Sequence, residues 1–449
     1  EGPVDMCLDL LSQLGCNLPS TTLGRMIYIL RGIISTQSIV RRLEEDLRDT
    51  LSLSNDEHRQ AVMKTLDKFT MIAYLSAPDL VPLITVKALR LSLKQGITMY
   101  SASALAFAGI LEVCILERFD VAQKCGKIAL RITKISDDPS FDGKTIHYHQ
   151  CGIRHWNHPF EESISPMLEA SRLSMSTGDV ETGTWSLYGS LVFSLVAGQP
   201  LDSLDEDALV HSNTMRDFQQ NLQYQLTLML WQLVLNLRGA SNHTTQLIGD
   251  AYNETNEAYD ANHALADAQD MTRRIFQLYL AAYFGEHEIG SQIAIKSCLD
   301  WVKALPSSYY LPPALFHSAL CCYGMAHKCK PSYYTKHART FLKILKRWAK
   351  KGNPNCIPYI ALLDAEKYSL KKQDKKAIEQ YDEAIQMTRR QSLIHDQALV
   401  NERYSAFYAR RGNKEKAKIH LEESINLYGQ WGANKKVDML LRQHKSDYA

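Results

Sequence analysis

Proline and glycine are scarce in this chain of 449 residues, at 14 and 22 copies, and no long stretch alternates Val, Ile and Thr with polar residues. The scarcity of helix breakers and of strand patterns predicts an all-α fold. The sequence also has no apolar run of 18 residues or more, so we expect no membrane span.

Pairs of cysteines at metal-binding or redox spacings are also missing, since the ten cysteines are scattered and contain no CxxC. Cys114 and Cys125 lie in apolar helical stretches, where a reduced thiol behaves as a small core residue. We therefore expect a reduced, cytoplasmic protein. The N-terminus lacks an initiator Met and the features of a signal peptide, and we expect a piece excised from a larger protein.

The chain has a net charge of only +2, but the two signs are unevenly distributed. Residues 321–449 hold 26 Lys and Arg against 13 Asp and Glu, which leaves 25 basic and 36 acidic residues in 1–320. Such an asymmetry can orient the docking of neighbouring domains, or it can be incidental in an elongated protein.

Catalytic groups do not stand out in the sequence. No Ser or Cys nucleophile has an identifiable base, and no carboxylate pair differs from an ordinary helix surface. Residues 142–145 imitate the end of a phosphate-binding loop, but Asp138 stands where that loop needs a glycine. We expect no nucleotide site, no cofactor and no enzymatic activity in this segment.

Residues of the types that bind metal ions cluster at one place in the chain. They are His147, His149, Cys151, His155 and His158. Their spacing fits no standard zinc site, so we interpret this stretch as a histidine-rich connector with His155 and Trp156 wedged between helices. The neighbouring thiols Cys321, Cys322 and Cys329 are interpreted as helix-core residues, since reactive thiols need an activating environment.

A helix-pair pattern repeats near the C-terminal end, with matching residues 40 positions apart. The first copy contains Ala365, Tyr368, Ala377, Tyr381 and Ala384. The second contains Ser405, Tyr408, Ala417, Leu421 and Ser424, and an earlier partial copy contains Ala338, Leu342 and Leu345. Small residues allow two antiparallel helices to approach closely, and a fixed period of this length is typical of a tetratricopeptide-like α-solenoid.

We predict four segments along one continuous superhelix. Irregular helical repeats occupy 1–135, a connector 136–160, central repeats 161–313 and regular repeats 314–449. Within them we expect a loop at 136–143, turns at 177–179 and 285–287, and a connector at 200–206.

Partner-binding residues are predicted on two surfaces. In solenoids the first helix of each pair lines the concave face, and the repeat register assigns to it Tyr359, Leu362, Glu366, Ser369, Leu399 and Glu402. The second surface is the basic side of an amphipathic helix at 335–348, with Lys336, Arg339, Lys343, Lys346 and Arg347. Residues 321–351 contain no acidic residue, so this side docks an acidic partner or a phosphorylated segment, or it is simply solvated. No aromatic residues alternate with the cations, which argues against nucleic acid.

The closing run at 427–437, Leu-Tyr-Gly-Gln-Trp-Gly-Ala-Asn-Lys-Lys-Val, resembles a known family. It is similar to the end of the tetratricopeptide-like region of STAND-type signalling ATPases and of hybrid serine/threonine kinase–ATPase–sensor histidine kinases. Earlier parts of the chain resemble the same region in the same order, at 14–19, 87–96, 101–102, 155–156 and 177–179. The resemblance implies a regulatory module that couples a protein or ligand signal to neighbouring ATPase and kinase domains. Two alternatives stay open, a free-standing adaptor that binds peptides and a small-molecule sensor with a closed pocket around residues 136–160 and the helices beside them.

Overall fold

The computed structural model describes residues 2–46, 54, 56–136, 138–255 and 266–448. All named elements in these ranges are helices, and the only β feature among them is one isolated bridge between Ile248 and Asn253. The predicted all-α fold is confirmed. None of the helices in these ranges is both long and apolar enough to cross a membrane.

The α-helices follow one another with short connections. They are α1 (Pro3–Gln13), α2 (Thr22–Asp46), α3 (Glu57–Ser76), α4 (Val81–Gln95), α5 (Ser101–Leu111), α6 (Phe119–Ser136), α7 (Asp142–Gly152), α8 (Ile164–Ser176), α9 (Val180–Val196), α10 (Leu201–Asp217), α11 (Asn221–Arg238), α12 (Ala266–Phe284), α13 (His287–Ala304), α14 (Leu311–Lys328), α15 (Pro331–Lys350), α16 (Cys356–Leu370), α17 (Asp374–Arg390), α18 (Ile394–Arg410), α19 (Lys414–Trp431) and α20 (Asn434–Tyr448). Short 3₁₀ helices span Pro78–Leu80, Arg154–Trp156 and Phe160–Ser163, and Glu112–Leu116 forms a π-helical turn.

The chain forms two compact units. Unit 1 contains Glu1–Asn157 and Ser165–Ser186, and unit 2 contains His158–Ile164 and Leu187–Ala449. The predicted division into four segments stays a prediction.

Unit 1 is built around α5. Nearly every residue of α5 is buried, and most of them are Ala or Ser, so α4, α6 and α7 can all pack closely against it. A helix that is apolar on every side belongs in the interior. The π-helical turn that follows α5 buries Glu112, which Arg118 binds through two nitrogens at 2.6 and 2.8 Å.

Unit 2 consists of helices that pack against their neighbours in sequence, pair by pair, from α10 with α11 to α18 with α19. The helix α14 is buried along almost its whole length and contacts α12, α13, α15 and α16. The final helix, α20, packs on α19 and on α11.

Small residues of the repeat pattern lie at the contact between α18 and α19, as predicted. Ser405 donates a hydrogen bond from its hydroxyl to the backbone carbonyl of Ala417 at 2.7 Å, and Ser424 does the same to Ala398 at 2.9 Å. In the preceding pair, Ala365, Ala377 and Ala384 are fully buried between α16 and α17. A larger side chain at these places would separate the two helices.

The predicted turns at 177–179 and 285–287 are confirmed. Gly178 and Gly285 adopt φ values of 81° and 74°, a left-handed conformation that glycine adopts without steric penalty.

Two local predictions were wrong. The loop expected at 136–143 is shorter, because α7 already begins at Asp142. The connector expected at 200–206 is the first turn of α10, which starts at Leu201 directly after Pro200. Proline is compatible with a helix start, where no intrahelical N–H bond is lost, and Asp202 lies in the first turn, where it favours the helix dipole.

Candidate functional site

A buried ion pair between α16 and α18 is the most unusual feature of unit 2. The guanidinium of Arg403 contacts both carboxylate oxygens of Glu366, with Nε–Oε1 at 2.8 Å and Nη2–Oε2 at 3.3 Å. The Tyr381 hydroxyl donates to Oε1 at 3.0 Å, and His327 Nε2 lies 3.0 Å from Oε2. Since a buried carboxylate is stable only when its oxygens are satisfied, these contacts explain how Glu366 is held in the interior.

The electrostatics of this pair follow from its surroundings. Burial alone would raise the pKa of Glu366, but the charge of Arg403 and the hydrogen bond from His327 hold that pKa well below the ordinary value. Burial likewise acts to lower the pKa of Arg403, and Glu366 more than offsets it, so the pKa of Arg403 is raised. Both side chains are therefore ionised.

Arg403 also connects the ion pair to α13. Its Nη1 lies 3.0 Å from Nε2 of His287, the first residue of α13. A guanidinium can only donate, so His287 accepts at Nε2 and carries its proton on Nδ1. Burial and the nearby charge of Arg403 lower the pKa of His287 well below its ordinary value, in agreement with a neutral ring.

A cavity of about 450 Å³ opens beside this network in unit 2. Helices α13, α14, α18, α19 and α20 and the turn before α13 contribute its walls. The lining residues are Gly285, His287, Gly324, His327, Lys328, Glu402, Arg403, Ser405, Ala406, Ala409, Arg410, Leu421 and Gln443. Its size falls within the range of small-molecule sites, and its walls combine charged groups with small apolar residues.

Gly324 makes room for one wall of the cavity. A Cβ atom at this position of α14 would overlap the ring of His287, so only glycine permits the observed close approach of α14 and α13. The second carboxylate of the wall, Glu402, accepts bonds from Lys436 Nζ at 2.7 Å and from the Tyr428 hydroxyl at 3.0 Å. Both carboxylates at the cavity, Glu366 behind Arg403 and Glu402 on the wall, are thus already paired with cations.

The predicted concave-face residues are mostly buried. Tyr359, Leu362, Glu366, Ser369 and Leu399 are at most 3% exposed, and Tyr359 stacks on Phe316 with ring centroids 4.3 Å apart. The reason is that α14, α16 and α18 are covered on nearly every side. Of the predicted set, Glu402 lines the cavity and is half-buried. Glu366 does not line the cavity itself but binds Arg403, which does. Partner binding by these residues stays a prediction.

The amphipathic helix predicted at 335–348 is α15. Its apolar side, with Ala338, Phe341, Leu342 and Leu345, is buried, as expected from the pattern. Its cations Lys336, Arg339, Lys343, Lys346 and Arg347 are all exposed. Lys346 forms a salt bridge with Asp364 at 2.6 Å, so its charge is already paired within the chain. Docking of an acidic partner on this face stays a prediction.

The histidine-rich stretch is largely helical, and its side chains have ordinary protein contacts. His147 Nδ1 lies 2.9 Å from the Ser186 hydroxyl, and His155 Nδ1 lies 3.2 Å from the Gln150 carbonyl. His149, Cys151 and His158 contact Gln123, Met167 and Glu162, respectively. Across the described ranges, no group of three or more His, Cys, Asp or Glu residues has an arrangement that would hold a metal ion.

Other predicted candidates fall into structural roles. Lys144, in the stretch that imitates a phosphate-binding loop, lies in α7 and binds Asp67 at 2.8 Å. Cys321 and Cys322 are fully buried in α14, as predicted. The prediction for Cys329 was wrong, because it lies exposed directly after α14.

The Trp-Gly-Ala ending is a packing device in unit 2. Trp431 is 1% exposed, and its ring lies beside those of Tyr283 and His395 at 5.4 and 5.3 Å. Gly432 follows with φ 96°, in the left-handed conformation that ends α19. At Gly198 a Cβ atom would overlap His395, so this glycine permits a close approach near the same cluster.

Sequence reasoning missed the cavity and most of its walls. The wall residues come from several helices, with His287 on α13, Gly324 and Lys328 on α14 and Arg410 on α18, and they form no motif in the linear sequence. One signal was present. Glu366 and Arg403 carry opposite charges and are 37 residues apart. Each stands at a largely apolar position on the first helix of its pair, α16 and α18, which is typical of a buried ion pair.

A comparison with known proteins finds a partial similarity to a signalling protein. The chain is 23% identical over 168 residues to the hybrid signal transduction histidine kinase G of Dictyostelium discoideum. The match covers 37% of this chain and 5% of that protein. No family model matches the chain. The similarity suggests a signalling context.

Proposed function

We propose that this chain is a non-catalytic regulatory and scaffolding module of a multidomain signalling protein, with a tetratricopeptide-like solenoid as its architecture. The observation that carries the proposal is the similarity to a hybrid signal transduction histidine kinase over 37% of the chain. The successive packing of helix pairs in unit 2, with small residues between α18 and α19, supports the solenoid part.

In this proposal the module receives a protein or ligand signal and biases the neighbouring ATPase and kinase domains of its polypeptide between two states. A coupling of about 1–3 kcal/mol is sufficient for such regulation. The exposed cations of α15 are the docking face for an acidic surface of a neighbouring domain. No acidic residue occurs between Asp300 and Asp364, so the carboxylates that offset the charge of α15 come from other helices, as Asp364 does at Lys346.

The absence of disulfides among the described cysteines supports a reducing, cytoplasmic setting for this module. The ten cysteines, all within the described residues, form no disulfide, and six of them are buried, namely Cys16, Cys125, Cys298, Cys321, Cys322 and Cys356.

A second candidate is a small-molecule sensor, and the cavity beside Arg403 favours it. Its volume of about 450 Å³ suits a metabolite, and residues from five helices meet there. A ligand that bound these helices together would stabilise one arrangement of unit 2 over others. The two candidates are compatible, because a sensor can also be the regulatory module of a larger protein.

The decisive experiment is to sequence the native transcript on both sides of this segment. An open reading frame that also encodes an ATPase or kinase domain is expected, and the activity of that domain should then change when the segment is deleted. A start codon directly before residue 1 together with a stop codon directly after residue 449 would overturn the proposal and favour the free-standing peptide-binding adaptor.

A further inference from the structure

We propose that the cavity between α13, α14, α18, α19 and α20 binds a small phosphate monoester, with Lys328 and Arg410 as its charged contacts. This inference concerns unit 2 alone. It does not depend on the regulatory role proposed above, and the ligand class follows from the charges, donors and size of the cavity.

The first argument is the charge balance of the walls. Three cations line the cavity, Lys328, Arg403 and Arg410, against the single carboxylate of Glu402. Arg403 is neutralised by Glu366, and Glu402 is neutralised by Lys436 at 2.7 Å. Two positive charges therefore remain on the wall.

These two charges belong to Lys328 and Arg410, which have no carboxylate within salt-bridge distance in the part of the chain that the structure describes. Arg410 has one weak contact, from Nη2 to the Ser369 hydroxyl at 3.4 Å. Two cations without a salt-bridge partner in one cavity match a ligand with two negative charges, and a phosphate monoester is such a dianion near neutral pH.

The second argument is the supply of hydrogen-bond donors. A guanidinium carries five N–H groups, and Arg403 uses three nitrogens on Glu366 and His287. Further N–H groups of Arg403 and most of those of Arg410 remain for a ligand, together with the ammonium of Lys328. Arginine forks match the geometry of phosphate oxygens, and lysine adds a point charge.

The third argument is the space for the remainder of the ligand. Beside the cations the wall contains Ala406, Ala409, Leu421 and Gly324, which give a short apolar surface. A volume of about 450 Å³ holds a phosphate together with a small organic part, whereas a bare inorganic anion would leave most of it empty.

Isothermal titration calorimetry of the whole chain with glycerol 3-phosphate tests the inference, at constant ionic strength and pH 7.5. One site per chain is expected, with succinate and acetate binding more weakly. The double variant Lys328→Met/Arg410→Gln should weaken binding about tenfold or more, because each lost charge-assisted hydrogen bond carries about that factor. Both side chains are exposed, so the fold should persist, and circular dichroism checks that it does.

The matched control removes the same charges elsewhere. Lys375→Met/Arg389→Gln lies on α17, on exposed positions outside the cavity, and should leave the affinity unchanged. A third variant, Ala406→Phe, fills the cavity without a change of charge and should likewise weaken binding. Equal affinities for the site and control variants, or tighter binding of succinate than of the phosphate monoester, would overturn the inference. Neither result would affect the transcript test of the proposed function.

Discussion

Trp431 donates its indole N–H to the backbone carbonyl of Gln199, 3.1 Å away in space and 232 residues earlier in the sequence. The bond joins the end of α19 to the turn between α9 and α10, next to the left-handed Gly432. Trp431 in the closing run at 427–437 thus has a structural explanation, because its large ring is buried and its indole N–H has a hydrogen-bond acceptor.

Trp431→Phe tests this anchor. Phenylalanine keeps much of the ring volume but leaves the Gln199 carbonyl without its donor, so we expect a loss of about 1–2 kcal/mol in the free energy of unfolding. Trp431→Ala should lose about 3–5 kcal/mol, because it also leaves a cavity. Urea unfolding followed by circular dichroism measures both. Trp301→Phe is the control, since the indole of Trp301 has no hydrogen bond in the described part of the chain, and equal losses at the two tryptophans would contradict the anchor.

The buried pair of Glu366 and Arg403 predicts a large and asymmetric mutational effect. Glu366→Gln leaves the guanidinium charge in the interior without its counter-ion, and we expect a loss of about 3–5 kcal/mol. Replacement of both partners, as Glu366→Leu/Arg403→Met, removes the uncompensated charge and should be less destabilising than the single variant. A double-mutant cycle from Glu366→Leu, Arg403→Met and the double variant, each unfolded in urea, measures the coupling.

An exposed ion pair serves as the comparison for that cycle. Arg411 binds Asp374 at 2.7 Å on the surface, and Arg411→Gln should change the stability by only about 0–1 kcal/mol, because water solvates the separated charges. Additive effects of the two changes at the buried pair would show that Glu366 and Arg403 do not stabilise each other.

His147 predicts a loss of stability in acid. Burial lowers its pKa from the ordinary 6.5 to about 4, and the charge of Asp179 opposes this only in part. As the pH falls below 6.5, the unfolded chain binds a proton that the folded chain rejects until the pH reaches about 4. Stability is therefore complete above pH 6.5 and decreases between 6.5 and about 4, by roughly 3 kcal/mol at most.

His147→Asn removes this titration and keeps a polar atom near the Ser186 hydroxyl. Unfolding in urea at several pH values should show a shallower decrease between pH 6.5 and 4 for the variant than for the parent chain. His58→Asn, at an exposed position of α3, is the matched control for removal of a histidine. An unchanged slope in His147→Asn would mean that another group governs the acid response.

Charge reversal on α15 tests the docking face. Lys336→Glu/Lys343→Glu changes two exposed positions, so the stability should stay within about 0.5 kcal/mol of the parent chain. In the native multidomain protein the same change should alter the output activity, because like charges then face the acidic partner surface. Lys375→Glu/Lys376→Glu, on the exposed side of α17, carries the same charge change. Identical outputs from the two variants would leave α15 as an ordinary solvated face.

The sequence allowed prediction of those features that depend on local chemistry. The turns at Gly178 and Gly285 were found because a left-handed residue after a helix favours glycine. The buried and exposed sides of α15 followed from spacing alone, as did the small residues between α18 and α19. Errors arose where one residue type is compatible with two local structures. Pro200 was interpreted as part of a connector, although proline also suits the start of a helix.

The cavity could not be predicted in the same way. Arg403 and His287 are 116 residues apart, and their contact depends on how α13 and α18 pack. The repeat register places Glu366 and Glu402 on the same side of their helices, but it cannot tell a buried side from an open one when neighbouring helices cover both. Which of two similar positions reaches a cavity is decided by tertiary packing, and a single sequence contains no direct record of it.

The hydroxyls of Ser405 and Ser424 form two hydrogen bonds between α18 and α19, one near each end of their contact. Each bond joins a side chain on one helix to a backbone carbonyl on the other. A slide of α19 by one helical turn, about 5.4 Å, would break both bonds at once and leave buried polar groups without partners. We therefore expect α18 and α19 to resist sliding past each other, so that any bending of this end of unit 2 takes place between successive helix pairs.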